Sequence, residues 1–251
     1  MIQAQARNKE AVFHEKLIVL LLAAAMLLSL AACASTADTE TTGTTSGNSS
    51  AAIRSDRGGG TVNVNGGSYT SNGYNSPAVY STAAITVQNA ELTANNSEAL
   101  VIEGKNSIAL TNCTASGNMS STKGSSSSEN VHTVMIYQSM SGDADAGTSE
   151  FSMTGGSLTG KNGNLFYITN THCILTLSGV TLKNGSTFTG TINIADNAEG
   201  GTAVSDNAVV TIGSGCTWTL TGDCTITSLT NNGTINFNGH TITLADGTVL
   251  R

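Results

Sequence analysis

Three stretches decide the fold: TVNVNGGSY (61–69), AITVQNAEL (84–92) and SIALTNCTA (107–115). Each alternates apolar with other residues, the period of a strand that buries one face. Aligned on these, the apolar first positions are Val62, Ile85, Ile108, Phe151 and Leu175, separated by 23, 23, 43 and 24 residues. The value 43 is one period of 23 plus a 20-residue insertion. Two positions on, the column reads Val64, Val87, Leu110, Met153 and Leu177; seven on, it reads Tyr69, Leu92, Ala115, Leu158 and Leu182. Between them lies a column of Gly66, Asn89, Asn112, Gly155 and Gly179, the residue types that most readily accept a left-handed backbone, so a tight corner is predicted there.

A third apolar stretch closes each unit, at 78–80, 100–102, 134–137, 165–168 and 191–194. Units of three short strands must stack on their neighbours to satisfy backbone hydrogen bonds and apolar side chains together. A leucine-rich repeat has a similar period but demands Leu at fixed positions, whereas these columns use Val, Ile, Met, Phe and Ala. The expected fold is therefore all-β: a single-stranded right-handed parallel β-helix of about 23 residues per coil over 59–251. An insertion is expected at 116–149. From about 209 the strands come every seven to nine residues, punctuated by Asn232-Gly233, Asn238-Gly239 and Asp246-Gly247, and read as last coils or a closing cap. Over residues 59–250 the pattern resembles the pectin-lyase-like right-handed β-helix superfamily, and within it adhesin-like bacterial surface lipoproteins.

Composition agrees with strands. Aromatics are 4%, charged residues 11%, and Pro77 is the single proline, while Gly, Ser, Thr and Asn, poor helix formers, fill much of the rest. At the N-terminus, Lys16 precedes an apolar run over 17–32, too short for a membrane span but suited to the core of a secretory signal helix. The run ends in Leu30-Ala31-Ala32-Cys33, which resembles the lipobox of bacterial lipoproteins. That resemblance implies a signal peptide over 1–33, lipid on Cys33, and an extracytoplasmic protein anchored to the membrane or cell surface. Residues 34–58, rich in Ser, Thr and Gly, read as a flexible tether. Without 1–33 the chain carries seven cations against fifteen acids, a net −8, and no basic run, which argues against nucleic acid as a partner.

Chemistry is sparse. The outward columns Asn63, Thr86, Ala109, Ser152, Thr176 and Ser68, Glu91, Thr114, Ser157, Thr181 contain one ionisable group, Glu91. The superfamily resemblance implies, for an enzyme, clustered acids or a cation with an Arg or Lys base. Gly239-His240 lacks the family's Gly-His-Gly, and no arginine lies between Arg57 and Arg251. No catalytic set, cofactor or metal site is therefore assigned. Asp143, Asp145 and Glu150 read as a solvated acidic loop rather than a Ca²⁺ loop. His132 and His172 read as ordinary polar residues with no carboxylate partner. Cys113, Cys173, Cys216 and Cys224 flank apolar stretches and read as buried thiols, with their disulfide status open. Tyr80, Tyr137 and Tyr167 each follow an apolar residue in a third stretch. Pointing outward, they would offer flat faces to sugar rings or a partner; pointing inward, they would be core. The sequence thus points to a non-catalytic, lipid-anchored, adhesin-like protein that binds polysaccharide or a surface protein. A polysaccharide lyase or glycoside hydrolase is the alternative, and a structural stalk the second.

Overall fold

Val62, Ile85, Ile108, Phe151 and Leu175 are successive partners across one parallel sheet, which continues to Val210 and Leu229. This is seen in a computed structural model that describes residues 41–57, 59–121, 131–183, 187–190 and 197–251. The expected signal helix, Cys33 and residues 34–40 lie outside the described residues. Among those described every regular element is a strand. A thirteen-stranded sheet and a six-stranded sheet, all of parallel pairs, account for most of them. The arrangement is compatible with a parallel β-helix.

Stacking follows from the columns. Val64, Val87, Leu110, Met153 and Leu177 pair in order, as do Tyr69, Leu92, Ala115, Leu158 and Leu182. Ile85, Ile108, Phe151, Leu175 and Val210 are buried, whereas Val62 and Leu229 at the two ends of the column are only partly so. An end position has a neighbour on one side alone. The corner column holds a left-handed backbone throughout, with φ of 76° at Gly66, 52° at Asn89 and Asn112, 68° at Gly155 and 64° at Gly179. Cys113 faces Gly156 across the next pairing, and all four described cysteines are buried and none of them forms a disulfide.

Two boundaries differ from the sequence expectation. Within the supposed tether, Thr42–Thr45 pairs with Ser68–Ser71, and Ile53–Arg54 pairs with Val79–Ser81. Ile53 is buried in the main core. Thr is a good strand residue, and a terminal turn of chain covered on one side needs little apolar bulk, so low hydrophobicity there did not mean flexibility.

The supposed insertion at 116–149 is not one block. The strand Ser107–Gly117 runs into it and His132–Tyr137 lies wholly within it. Val134 pairs with Leu100 and Phe151 with Ile108, so part of the excess precedes His132–Tyr137 and part follows it.

The closing units are both further stacked strands and a cap. Val209–Ile212 pairs with Ser228–Asn231, Thr217–Thr219 with Thr234–Asn236, and Cys224–Ile226 with Ile242–Leu244. Val249–Leu250 then folds back antiparallel on Ile242–Leu244 and covers one edge. Trp218 fills the core at this end.

Candidate functional site

The six-stranded sheet runs Ile53–Arg54, Val79–Ser81, Leu100–Glu103, His132–Tyr137, Asn164–Thr169, Thr187–Gly190. Its inward column, Ile53, Val79, Leu100, Val134 and Phe166, belongs to the main core. Side chains alternate along a strand. The neighbouring positions therefore form a column on the other face: Arg54, Tyr80, Val101, Met135, Tyr167. A second such column holds Glu103, Tyr137 and Thr169.

This outer face is roofed rather than bare. Val101, Met135, Tyr137 and Tyr167 are buried in a cluster of their own, with Tyr80 packed against it. Residues 138–147 lie over it through Glu103, whose carboxylate accepts hydrogen bonds from the hydroxyls of Ser139 and Ser141. Tyr80 donates to the same carboxylate. Glu103 is 1% exposed, and among the described residues no Lys or Arg nitrogen pairs with it. Hydroxyl donors are what make that burial tolerable. Burial pushes the Tyr80 phenol well above its usual range, and Tyr137 and the bond to Glu103 push it further. Tyr80 is thus held as a proton donor.

The residues 197–201 brace the same edge. Asn170 donates from Nδ2 to the Gly201 carbonyl at 3.1 Å, and the Asn197 side-chain oxygen accepts from the Asn170 amide at 2.8 Å.

Beside this roof opens a cavity of about 210 Å³ lined by Tyr80, Tyr137, Arg54, Arg57, Glu98 and Asp143, among others. The Arg54 guanidinium lies 6.0 Å from the centre of the Tyr80 ring and pairs with Asp56 at 3.1 Å. Arg57 pairs with Asp143. Glu98 is 1% exposed, accepting from Ser97 Oγ at 2.5 Å and lying 3.2 Å from His132 Nε2. His132 in turn packs on the Tyr167 ring, centroids 5.1 Å apart.

Of the three tyrosines singled out from the sequence, Tyr80 and Tyr137 reach the cavity, while Tyr167 supports it from behind His132. None is in the main core. Neither is any freely exposed: loops cover them, a possibility that alternation alone does not contain.

The reading of His132 and His172 as lacking carboxylate partners is corrected, since His132 meets Glu98 and His172 meets Asp206. Glu98 was overlooked because the extra residues before His132 hide its equivalence to His132 in a 23-residue frame. Glu98 and Glu103 bracket the apolar run ALVI (99–102), and that pairing of acids was the available signal.

Asp143, Asp145 and Glu150 do not converge. Asp143 turns to Arg57, the Asp145 carbonyl accepts from the Lys105 amide, and Glu150 sits exposed on the strand Thr148–Gly160. Among the described residues no group of three or more His, Cys, Asp or Glu is placed to hold a metal.

No family model, curated protein or solved structure matches the chain. The cavity's aromatic walls, two guanidiniums and the Ser49, Thr82 and Asn75 side chains suit a small polar ligand with an apolar face.

Proposed function

We propose that the protein is a lipid-anchored, extracytoplasmic, right-handed parallel β-helix of the pectin-lyase-like type that binds glycan without turning it over. The signal-like run ending at Cys33 supports the anchor, and the strong bias of parallel connections toward one hand supports the winding. The observation that carries the binding is the cavity of about 210 Å³ walled by Tyr80 and Tyr137 with Arg54 beside the Tyr80 ring. An aromatic face takes the C–H face of a sugar, while guanidinium and hydroxyl groups take its oxygens.

A glycan array probed with the full-length chain tests this. Specific binding that is lost in Tyr80→Ala supports it, and an array with no binder overturns it. A second reading, a polysaccharide lyase or hydrolase, is favoured by Glu98 at the cavity with His132 behind it. Release of unsaturated or reducing-end products from the bound glycan would establish that reading in place of the first.

A further inference from the structure

A second concavity lies on the thirteen-stranded sheet. It is an open groove of about 760 Å³ that shares no residue with the cavity beside Tyr80. Along the stack it is lined by Thr42, Ser68, Glu91 and Thr114, successive partners across four parallel strands. At the corner it is lined by Asn89 and Asn112, both on left-handed backbone.

This lining repeats once per coil, at the spacing of neighbouring strands, about 4.8 Å. An extended peptide laid along the groove advances about 3.3 Å per residue and about 6.6 Å between side chains on one face, so it falls out of step. A sugar chain joined through equatorial bonds at opposite ends of each ring is straight and advances by close to one strand spacing per ring. Each coil then meets one sugar.

The chemistry of the lining narrows the ligand further. The corner asparagines form a ladder, in which Asn112 Nδ2 donates to Asn89 Oδ1 at 3.4 Å and Asn89 Nδ2 to Asn65 Oδ1 at 3.0 Å. Hydrogen-bonded amides polarise one another, which strengthens the acceptor left at the end of the row, Asn112 Oδ1. Asn112 is exposed, and its Oδ1 lies over Gly155, 2.7 Å from where a Cβ would stand there. Glu91 is also exposed and accepts a long bond, 3.4 Å, from Ser68. Both oxygens call for donors, while the hydroxyls of Thr42, Ser68 and Thr114 take either role. Sugar hydroxyls meet all of these. An acid group on the ligand does not, since Glu91 is the one charged residue that lines the groove.

We propose that this groove is a second binding site, separate from the cavity, for a straight neutral glycan with equatorial linkages that lies along the stack with one sugar per coil from Thr42 to Thr114. Its lining contains no aromatic ring, so affinity accumulates from hydrogen bonds coil by coil and rises with chain length.

Calorimetric titration of the full-length chain with cellobiose, cellotetraose and maltotetraose tests the proposal. All three are built of glucose, but the axial linkage of maltotetraose curves its chain. Cellotetraose should bind about ten-fold tighter than cellobiose, the yield of two added hydrogen bonds between neutral groups, and tighter than maltotetraose by a similar factor. Asn112→Gly should weaken cellotetraose about five-fold, the size of one such bond. That variant keeps the corner, because glycine already takes this backbone conformation at Gly155 and Gly179. Binding of cellotetraose should persist in Tyr80→Ala. Equal affinity for the two tetrasaccharides overturns the match of sugar to coil. Cellotetraose binding that is abolished by Tyr80→Ala and untouched by Asn112→Gly belongs to the cavity, which overturns the groove and leaves the proposed function standing. No binding of cellotetraose overturns the groove alone, while the cavity stands or falls with the glycan array.

Discussion

Glu98 and His132 stand 34 residues apart in the chain and 3.2 Å apart in space, between Oε1 and Nε2, both almost wholly buried. They meet because Leu100 pairs with Val134, which sets the positions two residues before each side by side. A buried carboxylate that loses a donor keeps its desolvation cost. His132→Ala is therefore expected to lower stability by about 1–3 kcal/mol, measured by urea unfolding, with the loss of packing on Tyr167 adding to it. Wild-type stability in that variant would mean the contact contributes nothing.

Alkali should act on Tyr80. Its folded pKa lies above the unfolded value of about 10, so the folded state holds a proton that the unfolded chain gives up first. The stabilisation is full below pH ~10 and is lost as pH climbs from there toward the folded value. Tyr80→Phe should flatten this part of the stability curve, read as a smaller fall in melting temperature between neutral and strongly alkaline pH. An unchanged slope would place the titrating group elsewhere.

Loop 138–147 is fastened through Glu103. In Glu103→Ala the hydroxyls of Ser139 and Ser141 lose their shared acceptor. The expected result is faster amide exchange across 139–145, with the distant strands Val209–Ile212 and Cys224–Ile226 unaffected. Uniformly faster exchange would show a global effect instead.

What could be read from the chain alone divides along physical lines. The columns through Val62, Val64 and Tyr69 were legible because the core forces side chains at equivalent positions to superpose, and the corner at Asn89 was legible because few residue types accept its φ of 52°. The sheet position of Thr42–Thr45 was not, since a terminal strand can be polar. The site was the least legible part. Tyr80 and Tyr137 stood out by composition, but Glu98, His132, Ser139 and Arg57 lie in or beside turns whose lengths vary, so no period predicts what they touch.

Two glycines separate backbone strain from crowding. Gly142 and Gly156 share a φ of 76°, yet a Cβ on Gly142 would meet nothing within 4 Å while one on Gly156 would overlap the Cys113 carbonyl. Gly142→Ala therefore pays only for a left-handed alanine, roughly 1 kcal/mol. Gly156→Ala must in addition push two parallel strands apart in the middle of the stack, between Met153 and Leu158, both buried. That should cost roughly 2–3 kcal/mol more, of the size seen for overpacked interiors. Urea unfolding of the two variants side by side measures the difference directly. Equal losses would mean that the strands at Cys113 and Gly156 are not paired side by side, and the stacked column that organises the molecule would have to be redrawn there.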